Sequence, residues 1–411
     1  MKRDSFPALT IIVLIFGVAA LFQSTMGSQK TNGCFWDRDT LAFEASGYPG
    51  ITEIITGRFD RFPPLYYEMR LERVANEIES APDSLDLYDD AGVASDRLGR
   101  HDEAIEWMSR KRDVLDWLAS EGNADSEHEY HYLANLGTMH IHRWLSNGAN
   151  RDDLHDVEQS HELITAAIEL NPDAHFGRER YQLLAIKWIL DGYLYGEDEW
   201  QQPSIVEAIP EYSATRGLDR FTQIGYDDAV DGFSGLIALG NAWDSIDIFY
   251  ALAMVLRDQE HTSISMLCEL RIKELIDSGK KSLSPDFDHD AYSSTTTFDK
   301  YPMYTYLTPD YLQQVGEKFF PKAREEADGW VQRRNEYALE RLQRGEHPDT
   351  HPSFWADWVE TTSPPKMPGR PSMLIFPIVV LGVFLLITGI AIFIIFKVVK
   401  FTMRRLRTPA V

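Results

Sequence analysis

Residues 85–118 (LDLYDDAGVASDRLGRHDEAIEWMSRKRDVLDWL) constrain the fold more than any other stretch, because they encode two helices and the turn that joins them. Tyr88, Ala91, Gly92 and Ser95 recur at three- and four-residue intervals, which stacks them on one helix face. Gly99 ends that helix, and Asp102 is a suitable N-cap for the next. Ala104, Met108 and Lys111 repeat the spacing in the second helix. The small residues Gly92 and Ala104 stand where the two helices would cross closely, while Tyr88 and Met108 can fill the face between neighbouring units.

A 34-residue helix pair of this kind resembles a tetratricopeptide (TPR) repeat. Pro82 falls where such units commonly carry a proline, and residues 64–81 form an amphipathic pattern that would supply the second helix of a preceding half-repeat. A second unit starts near Tyr130. Leu133, Leu136, Gly137 and His140 match the first helix and Ala167, Ile168 and Pro172 the second, with about eleven extra residues between Ser146 and Asp156. Residues 176–194 predict a further helix whose Leu183, Leu184 and Trp188 cover the end of this unit, and residues 195–231, with Pro203 and Pro210, read as a long polar connection. Helical patterns return at 232–242, 245–258 and 262–278, where Leu252, Ala253 and Leu256, then Ile264, Leu267 and Ile272, form apolar stripes. Repeats bury their core between neighbours, so the expected fold class is all-α, a TPR-like α-solenoid of antiparallel helix pairs. The opening Cys34-Phe-Trp-Asp-Arg-Asp-Thr-Leu is similar to the start of bacterial membrane-anchored TPR-like proteins. It predicts an ordered cap that packs its rings on the first repeat; the likeness implies no activity.

Both ends are apolar. Residues 8–22 follow a basic Met1-Lys2-Arg3 start, the layout of a signal peptide or signal anchor over 1–27, with a cleavage expected before Ser28. Residues 373–396 carry no charge and are long enough for a transmembrane helix, and the basic tail 397–411 places that end in the cytoplasm. The expected order is then a cap segment (28–63), TPR-like repeats (64–194), a second helical-repeat part (195–282), a loop and long solvated closing helix (283–360), a Pro-rich linker (361–372) that holds the domain off the membrane, the span and the tail. The main domain would lie outside the cytoplasmic membrane, crossing once or, with an uncleaved start, twice. Cys34 and Cys268 are too few for a disulfide framework, although one bond is open to them there. The Thr31-Asn32-Gly33 before Cys34 lacks the Leu of a lipoprotein signal.

Charge excludes one class of partner. The chain has 40 Lys+Arg against 64 Asp+Glu, a net of −24; without the seven basic residues and one acidic residue of the two ends, 33 face 63 and the body stands at −30. Such a body repels phosphate backbones, so nucleic acid is not expected as a partner.

No motif of catalysis stands out. His128 and His131 are three apart, where the H-E-x-x-H zinc motif needs four, and His140 and His142 point in different directions on a helix. Asp286, Asp288 and Asp290 alternate as in a calcium loop but lack its sixth-place Gly and twelfth-place Glu, and Asp37 with Asp39 is a poor cation site alone. No enzyme activity, cofactor or metal is therefore expected. The TPR resemblance implies an interaction module whose concave face carries Asp86, Asp89, Val93, Asp96 and Arg97 from the first repeat and His131, Ala134, Thr138, Ile141 and His142 from the second. A groove with acids on one side and imidazoles on the other implies a protein or peptide partner, basic in character. The alternative is a metal-assisted hydrolase or polymer-binding protein built from residues 284–308 and from Trp200, Trp355 and Trp358.

Overall fold

The computed structural model describes residues 35–39, 49–172, 178–192, 203–215, 219–293, 307–369, 386–390 and 392–397. Every regular element among them is helical, as expected. The longer ones are α1 (Ile51–Thr56), α2 (Pro64–Ser80), α3 (Leu85–Arg97), α4 (His101–Ser120), α5 (Ser126–Ser146), α6 (His155–Leu170), α7 (Arg178–Leu190), α8 (Ala229–Ala238), α9 (Ile246–Asp258), α10 (Thr262–Asp277) and α11 (Phe320–Leu342). From α2 to α10 each helix packs on the next, and α3 also meets α5. The chain then returns on itself: α11 packs on α2 and α1, and α1 packs on α8 and α10. The cap is thus divided. Phe35 packs among Leu71, Tyr88 and Met139, whereas Ile54 and Ile55 join the core of the later helices.

The turn between α3 and α4 forms where the sequence puts it. Gly99 takes a φ of +74°, and its neighbour's amide, Arg100 N, reaches back to Ser95 O at 2.9 Å, closing the helix end with a left-handed residue. Asp102 is not the cap, however. α4 starts at His101 with Arg100 before it, and Asp102 lies in the first turn, where its carboxylate meets Arg143 at 2.9 Å. The expected close crossing is present, since a Cβ on Gly92 would lie 3.6 Å from Ala104 O and 2.7 Å from Met108 Cε.

Three other expectations need correction. The segment at 203–215 and 219–231 is no polar connection: Ile205, Val206, Ala208, Ile209, Tyr212 and Phe221 are core residues around α9, itself buried on nearly every side. Their apolar runs are too short to show a helical period. The closing helix is not simply solvated, because Phe320, Ala323, Ala327, Trp330, Ala338 and Leu342 are buried. The Pro-rich stretch, described to residue 369, lies along the body rather than standing it off: Thr362 Oγ1 donates to Glu326 at 2.7 Å, and Met367 packs on the core. The 1–27 segment, Cys34 and most of 373–396 lie outside the described residues. Residues 386–390 and 392–397 are helical with exposed apolar side chains, and no helix among the described residues is long and apolar enough to cross a membrane. Cys268 is a buried free thiol.

Gly232 is the tightest point of this packing. A Cβ there would lie 2.0 Å from Cδ2 of Tyr181, a clash with a ring that is fully buried and tethered through its hydroxyl to Asp228. Gly232→Ala should therefore lower stability by about 1–3 kcal/mol or more. Gly92→Ala meets only the movable methyl ends of Met108 and Met139, and a gain in helix propensity of about 1 kcal/mol offsets that contact, so it should be near neutral. Chemical denaturation of the two variants checks the order; equal losses would contradict the packing.

Candidate functional site

Residues 35–39 lie against α3 and α5, where a partner's segment was expected. Trp36 N donates to Asn135 Oδ1 at 2.8 Å, and Asn135 Nδ2 returns a bond to Trp36 O at 3.2 Å. The Trp36 ring lies flat on His131, 3.8 Å between centroids, and Phe35 meets the edge of His142 at 5.4 Å. Arg38 Nε stands 2.6 Å from Asp90, a buried carboxylate that the sequence reading did not select. Burial pushes the Asp90 carboxyl up to about 7, against the pull of Arg70 and Arg38.

Of the sequence-selected residues, Asp89, Asp96, His131 and Thr138 are buried, and together the set does not form an open acidic face. Asp86 is exposed, whereas Asp89 and Asp96 are each 2% exposed and neutralised from within. Asp96 accepts His101 Nδ1 at 2.9 Å and His142 Nδ1 at 2.8 Å; burial alone would raise its carboxyl, but the two imidazoles bring it down to about 2. Val93 is core, and Thr138 is buried with its Oγ1 on Ala134 O. Arg97 does not pair with Asp89. It donates to Leu239 O and lies 5.1 Å over the Phe35 ring.

Asp86, Asp89, His128 and His131 each bring one metal-ligating atom within 4.8 Å of the others. Spacing of i, i+3 turns both pairs to one side, so a three-residue step between the histidines does not part them, contrary to the expectation from the zinc motif. The cluster already holds a cation. Lys111 Nζ, fully buried, stands 2.6 Å from Asp89 Oδ2, and Asn135 Nδ2 takes Oδ1 at 2.9 Å. Burial works against the charge on Asp89, yet Lys111 leads the groups that hold its carboxyl below the usual range. A divalent ion on the same oxygen would stand against a buried ammonium, so Lys111 supplies the neutralising charge here.

The other candidates are structural. Asp288 Oδ1 caps the short helix His289–Ser293 through Ala291 N, and Phe287 and Tyr292 stack in the core, so the alternating acids form a helix start. Trp355 lies 3.8 Å under the Arg334 guanidinium and stacks on Tyr337, with Trp358 edge-on beside it. Trp200 lies outside the described residues.

The sequence reading missed the group that ties the groove's guest in place. Arg70, on α2, is fully buried and reaches Asp37 at 3.3 Å, Asp39 at 2.8 Å and Asp349 at 2.7 Å, with the Tyr66 hydroxyl at 2.8 Å. Its signal was a charge on an apolar stripe, since Tyr66, Arg70 and Val74 follow one another at four-residue steps. Two hollows lie nearby, and the guest's Asp37, Arg38 and Asp39 line one of them. One of about 490 Å³ is bordered by His101, Thr138, His142, Leu145, Leu236 and Asp247, and one of about 630 Å³ by Asp37, Arg61, Arg97, Trp243 and Arg334.

Compared with known protein families, curated proteins and solved structures, the chain finds no match.

Arg70 generates a prediction for acid. Burial raises the Asp349 carboxyl, but Arg70 more than offsets this and leaves it at about 2, against an ordinary 3.8. The folded state therefore holds the charged form more tightly than the unfolded chain does. That contribution is complete above pH 4 and is lost as pH falls through about 2. Arg70→Met should cost about 3–5 kcal/mol near neutrality, because it strands buried carboxylates, and should flatten the loss between pH 4 and 2. Denaturant unfolding across that range checks both; an unchanged slope in the variant would contradict the assignment.

Proposed function

We propose that this chain is a membrane-anchored scaffold of TPR-like helical repeats that holds a protein or peptide partner outside the cytoplasmic membrane, without catalysis of its own. The observation that carries this reading is the treatment of residues 35–39. A short piece of the chain's own polypeptide is gripped by its main chain through Asn135, by rings against His131 and His142, and by a basic side chain on Asp90. Reading a short segment through main chain and successive side chains is a general mode of peptide recognition. With that groove occupied in cis, the partner's seat is taken to be the hollow of about 490 Å³, whose lining is the more apolar. Ile141, Leu145, Ile189, Leu236 and Ile248 make its wall largely apolar, while Asp244, Lys280 and Lys281 stand at its border. The partner then contributes an apolar anchor rather than the basic segment that the three aspartates alone had implied. The uncharged stretch 373–396 and the basic tail support anchoring with the helices outside.

One experiment tests both placement and partner. In a Cys34→Ser background, Leu145→Cys at the hollow's rim and Trp117→Cys on the exposed side of α4 are labelled in spheroplasts with a membrane-impermeant thiol-reactive photo-crosslinker. Both positions should label, and illumination should give a discrete partner adduct from position 145 alone. Absence of labelling at both sites would contradict the topology, and identical products from both would contradict the partner site.

A further inference from the structure

The hollow of about 630 Å³ differs from the rest of this acidic molecule in where its charges are spent. Asp37, Asp39, Asp60 and Asp349 line it together with Arg38, Arg61, Arg97 and Arg334. All four carboxylates are engaged: Asp37, Asp39 and Asp349 by Arg70, and Asp60 by Arg334, whose Nη2 lies 2.9 Å from Oδ2. Arg38 and Arg334 are likewise used, on Asp90 and Asp60. Two guanidinium groups remain. Arg61 has no carboxylate partner among the described residues; its Nη2 donates to Gly57 O at 3.1 Å, and its buried Nη1 has no partner. Among the described residues, Arg97 hydrogen-bonds to the main-chain oxygen of Leu239 and to no carboxylate.

The surroundings of Arg61 sharpen the contrast. Its guanidinium lies 5.0 Å over the Phe59 ring and 4.8 Å over Trp243, and Arg271 and Arg324 approach the same indole at 3.9 and 5.3 Å. Glu274 lies between those two arginines, 3.0 Å from Arg271 and 2.9 Å from Arg324, and Asp328 is 3.0 Å from Arg324. None of these carboxylates is within ion-pair reach of Arg61. Burial pushes the Arg61 group down to about 10; Asp328 opposes this, and the cations Arg324 and Arg271 add to it. A guanidinium offers five donors in a planar fork that matches an oxyanion, and this one has donors to spare in a partly desolvated place.

We propose that this hollow is a binding site for a small oxyanion, a carboxylate or phosphoryl group carried on a flat apolar body. Arg61 and Arg97 receive the anion, while Trp243, Phe62 and Tyr67 form the aromatic wall. Its volume lies within the usual range for a small-molecule site, about 300–1,000 Å³. The two hollows meet at Asn241, which lines both, but the proposal rests on the arginines of this one and not on the partner reading.

Calorimetry on the full chain in detergent tests it with three probes of one shape: benzoate, phenyl phosphate and the neutral benzamide. Saturable binding of benzoate or phenyl phosphate is expected, at least tenfold tighter than benzamide, and the tighter of the two anions tells whether the natural group is a carboxylate or a phosphoryl. Arg61→Gln should weaken anion binding tenfold or more while leaving the ligand-free thermal midpoint unchanged or raised, because it removes an uncompensated buried cation. Arg97→Gln supplies the same test should the first variant fail to fold. Benzamide binding as tightly as the anions, no saturable binding to the natural chain, or anion binding unchanged in a folded variant would each overturn the proposal.

Discussion

A single buried guanidinium, that of Arg70, joins the two ends of the described body. Asp39 lies 31 residues before it and Asp349 lies 279 after it, and both are bonded to it at under 3 Å. Taking such charges out of water costs several kcal/mol per ion, a cost offset only where geometry and further hydrogen bonds are good. Here the planar fork meets Asp37, Asp39 and Asp349 at once and stands 4.9 Å over the Tyr66 ring. A lysine, with one point charge, could not hold three carboxylates in that arrangement. The return of α11 onto α2 and the seating of residues 35–39 therefore share one electrostatic condition.

The same device recurs along the inner face. Asp89 is held by Lys111, Asp96 by His101 and His142, and Asp90 by Arg38. A body that is strongly acidic overall thus keeps several of its acids inside, each beside a basic group. The consequence is a closed inner face. Hollows remain open nearby, one largely apolar and another with cations to spare.

Local structure was legible in the sequence because short spacings decide it. Gly99 ended its helix, Gly92 and Ala104 met, and the patterns at 245–258 and 262–278 became α9 and α10. The inward direction of Asp89, Asp96, His131 and His142 was also readable, since it needs only the pitch of a helix. Their surroundings were not, because partners such as Asn135 and Lys111 come from other helices and carry no local mark of pairing. Arg70 and Lys111 did leave a trace, each a charge in line with buried residues, Tyr66 and Val74 for one, Ala104 and Met108 for the other. The core role of 205–209 was hidden by its brevity, and Asp349 had no signal at all, being joined to the groove only through chain closure.

The central claim is that residues 35–39 are part of the folded inner face and do not rest on it loosely. Native-state hydrogen exchange at the Trp36 amide, which donates to the fully buried Asn135 side chain, tests this most directly. Main-chain hydrogen bonds that open only with the whole fold exchange with its full unfolding free energy, while frayed segments exchange with almost none. The account predicts protection of that amide equal to the amides in the middle of α3 and α5. Exchange near the rate of an unstructured peptide, with α3 and α5 still protected, would contradict it.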